Sequence, residues 1–457
     1  MRSRSDLFRF QSAFAARLAR DRVKLLMVEL GYGKTATTLT ALRDMNEWPA
    51  LVVAPPKVAK KVWPEEAAQW EHTKNLLVTP LVGTPDQRLK ALQLESHIET
   101  ISYQNLVWLS DAVEINRRYR AIIFDELTEL KTADTKRFRR MRAPVRGCMG
   151  VPIRIGLTGT PVPHHLLDLW GQAFMVAGDA ALGPSFGEYR DRYFTSDYMG
   201  YKWTIRPGAE AEIHQRLRPW CLSIPPQPEV KVPQVHIHRI QVELPEDVAA
   251  SIRELKDQCW TELPSGVELE ALSASAVAGK ARQLASGAVL WQPPAEVGVA
   301  RPAATVEHVH DEKLDALDEA LESLGGEPTL VAYWYQHEDA RIAARLEKSG
   351  RRWGRAADQK SLDAWNRGEL EVLLIHPQGA GHGLNLQHGG HHTIWYTLPF
   401  SNALFKQTNG RLARVGQKAP LVNAHALLAG VMDEAVLQLL TGQAATEGAL
   451  LRFLQAE

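Results

Sequence analysis

Short apolar runs recur along the first half of this chain, spaced to leave room for a helix between most of them. Leu25–Val28, Ala50–Ala54, Ile98–Ser102, Ala121–Phe124 and Arg154–Leu157 are such runs, with amphipathic stretches between. Runs of this length with little polar alternation are strands buried on both faces, as in parallel sheets covered by crossover helices. The pattern predicts a doubly wound α/β domain that binds its ligand at the carboxyl ends of its strands. At 457 residues the chain has room for two or three domains.

The first run leads into Glu29-Leu30-Gly31-Tyr32-Gly33-Lys34-Thr35 and then the helix-like Ala36–Leu42. Strand, glycine turn and helix start form the layout of a phosphate cradle. Backbone N–H groups and the helix N-terminus face the phosphates, Lys34 reaches the β and γ oxygens, and the Thr35 hydroxyl ligates Mg²⁺. Val28 stands where the usual pattern has its first glycine, so the motif needs support from elsewhere. Asp125-Glu126 supplies it at the end of a buried strand, Asp125 to hold Mg²⁺ and Glu126 to polarise the attacking water. Leu157-Thr158-Gly159-Thr160-Pro161 follows another strand, with short hydroxyls suited to bonding the acidic pair. Far downstream, Arg411 and Arg414 lie three apart within Gln407–Gln417. On a helix they share one face, as a pair of arginine fingers for the γ-phosphate.

A proline-rich break at Ile224-Pro225-Pro226-Gln227-Pro228 precedes the helix-like stretch Glu246–Leu290. A second break, Trp291 through Pro302, leads to the helix Asp311–Leu324 and the strands Thr329–Trp334, Glu371–Ile375 and His392–Tyr396. The chain therefore reads as two α/β lobes, 1–222 and 305–457, joined by a helical, proline-punctuated connector at 223–304.

Taken in order, the phosphate loop, Asp-Glu, Leu-Thr-Gly-Thr-Pro and Gln-x-x-x-Arg-x-x-Arg-x-Gly-Gln resemble superfamily 2 helicase-like ATPases of the Swi/Snf-related branch. The similarity is greatest to the compact versions carried by bacteriophages and prophages. The resemblance implies two RecA-like doubly wound parallel-sheet lobes that bind ATP and Mg²⁺. Hydrolysis in the interlobe cleft would drive translocation on DNA, duplex or single-stranded, with or without strand separation. It implies that Gln11 recognises adenine, and that Gly31, Tyr32, Gly33, Lys34 and Thr35 hold the nucleotide together with Gly383, Arg411 and Arg414. Thr35 and Asp125 take the metal. Lys57, in the segment leading to Trp63-Pro64-Glu65-Glu66, contacts nucleic acid, as do Thr158, Thr160, Gly381 and Asn385. The loop Gly379–Gln387 couples the DNA track to the ATP cleft, and Phe186–Phe194 resembles the helical protrusion of this branch.

The sequence departs from the family pattern at Val28 and Leu30, and again at Leu127 and Thr128 in the acidic box. These departures keep open a second reading, an ATP-gated DNA-binding switch that recruits phage or host replication or recombination proteins.

Composition narrows the rest. Lys+Arg and Asp+Glu are equal at 53 each, so DNA binding must use a local basic surface, such as Lys131–Arg146. Cys148, Cys221 and Cys259 form no paired motif, which fits a reducing cytoplasm. No stretch is long and apolar enough to span a bilayer. His382, His388, His391 and His392 crowd one segment without cysteine or carboxylate at ligand spacing, so no metal is expected there. Trp334, Trp365 and Trp395 sit in or beside core patterns and are expected to pack inside.

Overall fold

The computed structural model describes residues 1–28, 31–159, 166–198, 203–223, 232–292, 303–378 and 384–442. The chain divides into two compact units that change over at residues 230–231. Each is built on its own parallel sheet, as two RecA-like α/β lobes.

In the first lobe, β1 (Val23–Met27), β2 (Ala50–Ala54), β3 (Val78–Pro80), β4 (Ile98–Ser102), β5 (Ala121–Asp125) and β6 (Ile153–Thr158) are all parallel. A small hairpin, β7 (Phe194–Ser196) with β8 (Trp203–Ile205), stands apart, and β9 (Cys221–Leu222) closes the sheet in the order β3-β4-β2-β5-β6-β1-β9. The five predicted strands are present with near-identical bounds. β2 and β4 are buried at every residue; β2 is an unbroken apolar run, whereas β4 carries Glu99, which pairs with Arg118 and Tyr119. The Phe186–Tyr193 helix docks on this lobe, and its Tyr189 and Tyr193 are in the hydrophobic core with Trp170 and Phe174.

The second sheet runs β10-β19-β18-β15-β17-β16, again all parallel. Here β10 is Gln234–Val242, β15 Thr329–Ala332, β16 Trp353–Arg355, β17 Val372–Ile375, β18 His392–Trp395 and β19 Leu421–Ala429. Alternate side chains enter two different core layers. Leu330, Leu373 and Trp395 pack on one face with Trp365 and Phe405, while Val331, Leu374 and Ile394 pack on the other with Leu317 and Ile342. Both faces are thus covered, the defining property of a doubly wound sheet. Trp365 and Trp395 are fully buried, as expected.

The stretch predicted as helical from Glu246 to Leu290 proves to be two helices, Glu246–Gln258 and Ala274–Ala285, separated by the hairpin β11 (Trp260–Glu262) and β12 (Glu268–Glu270). Pro264 cannot continue a helix. Gly266 turns the chain at φ 82° and closes the hairpin with Leu263. A second hairpin pairs β13 (Ala288–Trp291) with β14 (Thr305–His308). Both helices share a core with Met432 of the second lobe. A buried charge cluster fastens the second of them there. Lys313 Nζ lies 2.6 Å from Asp433 Oδ2, and Arg282 Nε lies 3.5 Å from Asp433 Oδ1.

β10 and β19, nine residues each, were not foreseen as strands. β10 alternates exposed and half-buried residues as an edge strand does, and its histidines hide the alternation.

Candidate nucleotide site and nucleic-acid contacts

Register gathers the motifs of the first lobe on one edge. Met27 pairs with Thr158, Asp125 with Leu157, and Val53 with Phe124. The phosphate loop, the acidic pair, Thr158 and the Pro55-Pro56-Lys57 turn therefore all leave the sheet at its carboxyl edge, where open α/β sheets bind ligands.

Two helices frame the loop, α1 (Arg9–Asp21) and α2 (Lys34–Met45). Gly31 and Gly33 adopt φ 88° and 67°, a left-handed conformation that glycine reaches without a Cβ clash. The first intrahelical bond of α2 runs from Thr37 N to Gly33 O at 3.0 Å. The N–H groups of Lys34, Thr35 and Ala36 precede it and have no acceptor within the helix, so this end favours an anion. Lys34 Nζ rests 3.1 Å from Val28 O.

Gln11 is buried and joins α1 to the loop. Its Nε2 donates to Tyr32 O at 3.1 Å, and its Oε1 accepts from Phe8 N at 2.9 Å. A primary amide carries two donors and two lone pairs, so each end keeps capacity for a further bond. Phe10 packs beside it on Tyr32, ring centroids 5.6 Å apart.

Asp125 ends β5. Burial pushes its carboxyl up to about 6, against the opposing pull of the Trp63 indole and the Lys34 ammonium. Trp63 begins α3 (Trp63–Gln69), entered through a π-helical turn at Val58–Val62, and its Nε1 donates to Asp125 Oδ2 at 2.9 Å. Trp63 is fully buried, so within the segment likened to a nucleic-acid contact this ring serves the acidic pair instead. Tyr103 Oη donates to the Asp125 carbonyl at 3.0 Å. Glu126 is buried and held at φ 61°. That conformation is costly for a side chain with a Cβ, and such residues cluster at functional sites. Thr128 Oγ1 donates to Glu126 Oε1 at 2.7 Å, so the departure at Thr128 acquires a partner within the box. Leu127 fills the space beside Gly156, where an added Cβ would meet its Cδ2 at 2.5 Å.

These groups suit a triphosphate and a divalent cation: a left-handed glycine turn, a helix N-terminus, an ammonium, and a carboxylate oxygen at the same sheet edge. The signal for Tyr103 and for the Trp63 contact was absent from the sequence, because both reach Asp125 from distant segments.

In the second lobe the expected helix stops at Asn409 and is capped by Gly410. Arg411 and Arg414 therefore do not share a helix face. They sit in successive turns, with Arg411 N bonded to Thr408 O at 3.1 Å and Arg414 N to Leu412 O at 2.9 Å. Arg414 Nη1 donates to Asn385 Oδ1 at 2.6 Å, which brings together two predicted site residues. Gln417 locks the same turns by donating to Gly390 O at 2.8 Å. Thr160, Gly381 and Gly383 lie outside the described residues, as do Glu29, Leu30 and Gly379.

Among candidate nucleic-acid contacts, Lys57 is half-buried and Lys60 exposed, while Thr158 is buried. Most of the basic block is committed elsewhere: Lys131 pairs with Asp168, and Arg146 donates to Ser110 O and Asp111 O. Arg137 pairs with Glu129, Arg140 with Asp111, and Arg142 bonds to Pro184 O. Lys136 and Arg139 are exposed.

A family model described as the SNF2-related domain matches residues 13–218. "Putative protein p41" of Acyrthosiphon pisum secondary endosymbiont phage 1 is 31% identical over 449 residues, covering 93% of this chain and 94% of that one. The SWI/SNF-related matrix-associated actin-dependent regulator of chromatin subfamily A-like protein 1 homolog of Caenorhabditis elegans is 28% identical over 177 residues, 38% of this chain but 24% of its own length. Among solved structures, the Sulfolobus solfataricus SWI2/SNF2 ATPase core in complex with dsDNA aligns at TM-score 0.43 and 20% identity, covering 99% of this chain and 95% of that one. The chain belongs to the Swi/Snf-related family of helicase-like ATPases, in its phage-carried form. Among the described residues, no helix is long and apolar enough to cross a membrane.

Proposed function

We propose that this protein is a DNA-dependent ATPase that couples ATP hydrolysis to translocation along DNA. The observation that carries the reading is the shared carboxyl edge of β1, β5 and β6. There the glycine turn and Lys34 stand beside a carboxylate buffered by Trp63 and a glutamate in a strained backbone conformation.

In this reading the first turn of α2 and Lys34 bind the β and γ phosphates, and Gln11 orients the adenine. Thr35 and Asp125 would hold Mg²⁺, which supplies charge neutralisation on the phosphate oxygens. Glu126 accepts a proton from the attacking water. Its left-handed backbone and the Thr128 bond aim the carboxylate, so little reorganisation is required during the step. Arg414, oriented by Asn385, and Arg411 act as arginine fingers on the developing charge. Lys57 and Lys60 contribute phosphate-backbone contacts, each adding salt-dependent affinity without reading sequence. Similarity to a chromatin-remodelling ATPase and to a DNA excision repair protein supports DNA as the track.

The Thr128–Glu126 hydrogen bond favours one alternative. If it holds the base away from water, hydrolysis is slow and the protein works as an ATP-gated clamp on DNA that recruits replication or recombination proteins. Steady-state hydrolysis without nucleic acid, then with duplex DNA, single-stranded DNA and RNA, separates the readings, with Lys34→Ala as the blank. Strong stimulation by one polymer supports the motor and names its track. Tight ATP-dependent DNA binding with little turnover supports the clamp.

A further inference from the structure

The amino edge of the second sheet carries a group of side chains that the nucleotide chemistry does not use. Glu327 lies two residues before β15, and His392 opens β18 in register with Thr329. His391 stands in the bend just before it. Adjacent residues of a strand point to opposite faces, but the bend lets both rings turn the same way, with centroids 4.3 Å apart. Both converge on one carboxylate oxygen: His391 Nε2 is 3.4 Å and His392 Nε2 3.0 Å from Glu327 Oε2. One donor atom from each residue lies within 4.8 Å of the other two.

We propose that Glu327, His391 and His392 form a binding site for a divalent transition metal of the zinc class. Zinc–nitrogen and zinc–oxygen bonds of about 2.0–2.2 Å in a tetrahedron place neighbouring ligand atoms roughly 3.3 Å apart. The two measured separations, 3.0 and 3.4 Å, bracket that value. Two imidazoles and a carboxylate are also the donor set that borderline cations prefer over Mg²⁺.

A second layer supports the first. His392 Nδ1 faces His425 Nε2 at 3.2 Å. His425 stacks on His238 at 4.8 Å between centroids. With His425 as the acceptor of this contact, the His392 proton sits on Nδ1, the tautomer that presents Nε2 to a metal. Glu327 is exposed and His391 half-exposed, leaving water as the fourth ligand. Ligands bind open α/β sheets at the carboxyl edge; this cluster is at the amino edge. Its role is structural, a clip between the segment entering β15 and the start of β18.

The test is Zn²⁺ binding to the full chain, with any affinity tag removed and no nucleotide present, by competition with a chromogenic chelator. One ion per chain is expected, undisturbed by millimolar Mg²⁺. Glu327→Gln and His391→Ala, both at solvent-accessible positions, should each weaken binding at least tenfold while leaving the circular dichroism unchanged. His425→Ala, which removes only the outer partner, should cost about 10–100-fold. Zn²⁺ should raise the unfolding midpoint of the wild type and not of Glu327→Gln. Absence of stoichiometric binding, displacement by Mg²⁺, or undiminished affinity in both Glu327→Gln and His391→Ala would each overturn the site.

Discussion

The indole Nε1 of Trp63 donates to Asp125 Oδ2 across 2.9 Å, linking residues 62 apart in the chain. The bond favours the charged carboxylate and opposes the burial that raises its pKa to about 6. Mg²⁺ needs that charge, so ATPase activity should fall as pH drops through about 6. Trp63→Phe removes the bond and should move this acid limb to higher pH. A pH–rate profile checks it, and an unmoved limb would show that Trp63 acts by packing alone.

The same carboxyl has a consequence for stability. Its folded value, about 6, lies above its ordinary value of 3.8, so the folded state binds the extra proton between the two. Stability therefore falls as pH rises from about 4 to about 6. In the absence of nucleotide, Asp125→Asn should be more stable than wild type at pH 8, by about 1–3 kcal/mol. The gain should vanish near pH 4. Thermal melts at the two pH values measure it, while turnover in the variant should be lost.

Gly33 allows Gln11 to reach the phosphate loop. A Cβ at position 33 would stand 2.1 Å from Gln11 Nε2, at a φ of 67° that side chains rarely adopt. Gly33→Ala should weaken nucleotide binding strongly and destabilise the lobe by about 1–2 kcal/mol from backbone strain. Adding Gln11→Ala removes the clash but not the strain. Nucleotide titration of both single variants and the double variant should therefore give less than additive losses.

Arg414 should be needed for turnover rather than for nucleotide affinity. Arg414→Ala is expected to lower kcat by ~10³-fold with ATP binding retained, the loss typical of an arginine finger. Asn385→Ala removes only the partner 2.6 Å away and should give a smaller loss of kcat. Full activity in Arg414→Ala would eliminate the finger.

Asp433 lies between the buried cations Lys313 and Arg282. Asp433→Ala leaves both charges buried without their anion and should cost about 3–5 kcal/mol. Chemical denaturation would detect this as a lower midpoint, or as loss of soluble protein.

Features encoded within a few consecutive residues were legible in the sequence. The runs at Ala50–Ala54 and Ile98–Ser102 became buried parallel strands with the same bounds. The glycine turn before Lys34 became a left-handed N-cap. Reading failed where local signals conflicted. Gly410 ends the helix ahead of Arg411 and Arg414 despite their helical spacing, and Pro264 with Gly266 splits a composition otherwise rich in helix formers. Imidazoles in β10 obscured a nine-residue strand.

The sequence by itself determined the class of fold and the order of its motifs, because periodicity and turn residues are properties of short stretches. Tertiary structure alone decided the partners: Trp63 for Asp125, Gln11 for Tyr32, Asn385 for Arg414, and Glu327 for His391 and His392. His391 and His392 lack a carboxylate at ligand spacing in the chain, but parallel pairing of β15 with β18 brings one to them. Each of these pairs depends on strand register or helix packing between segments far apart in the chain, and no local pattern encodes that.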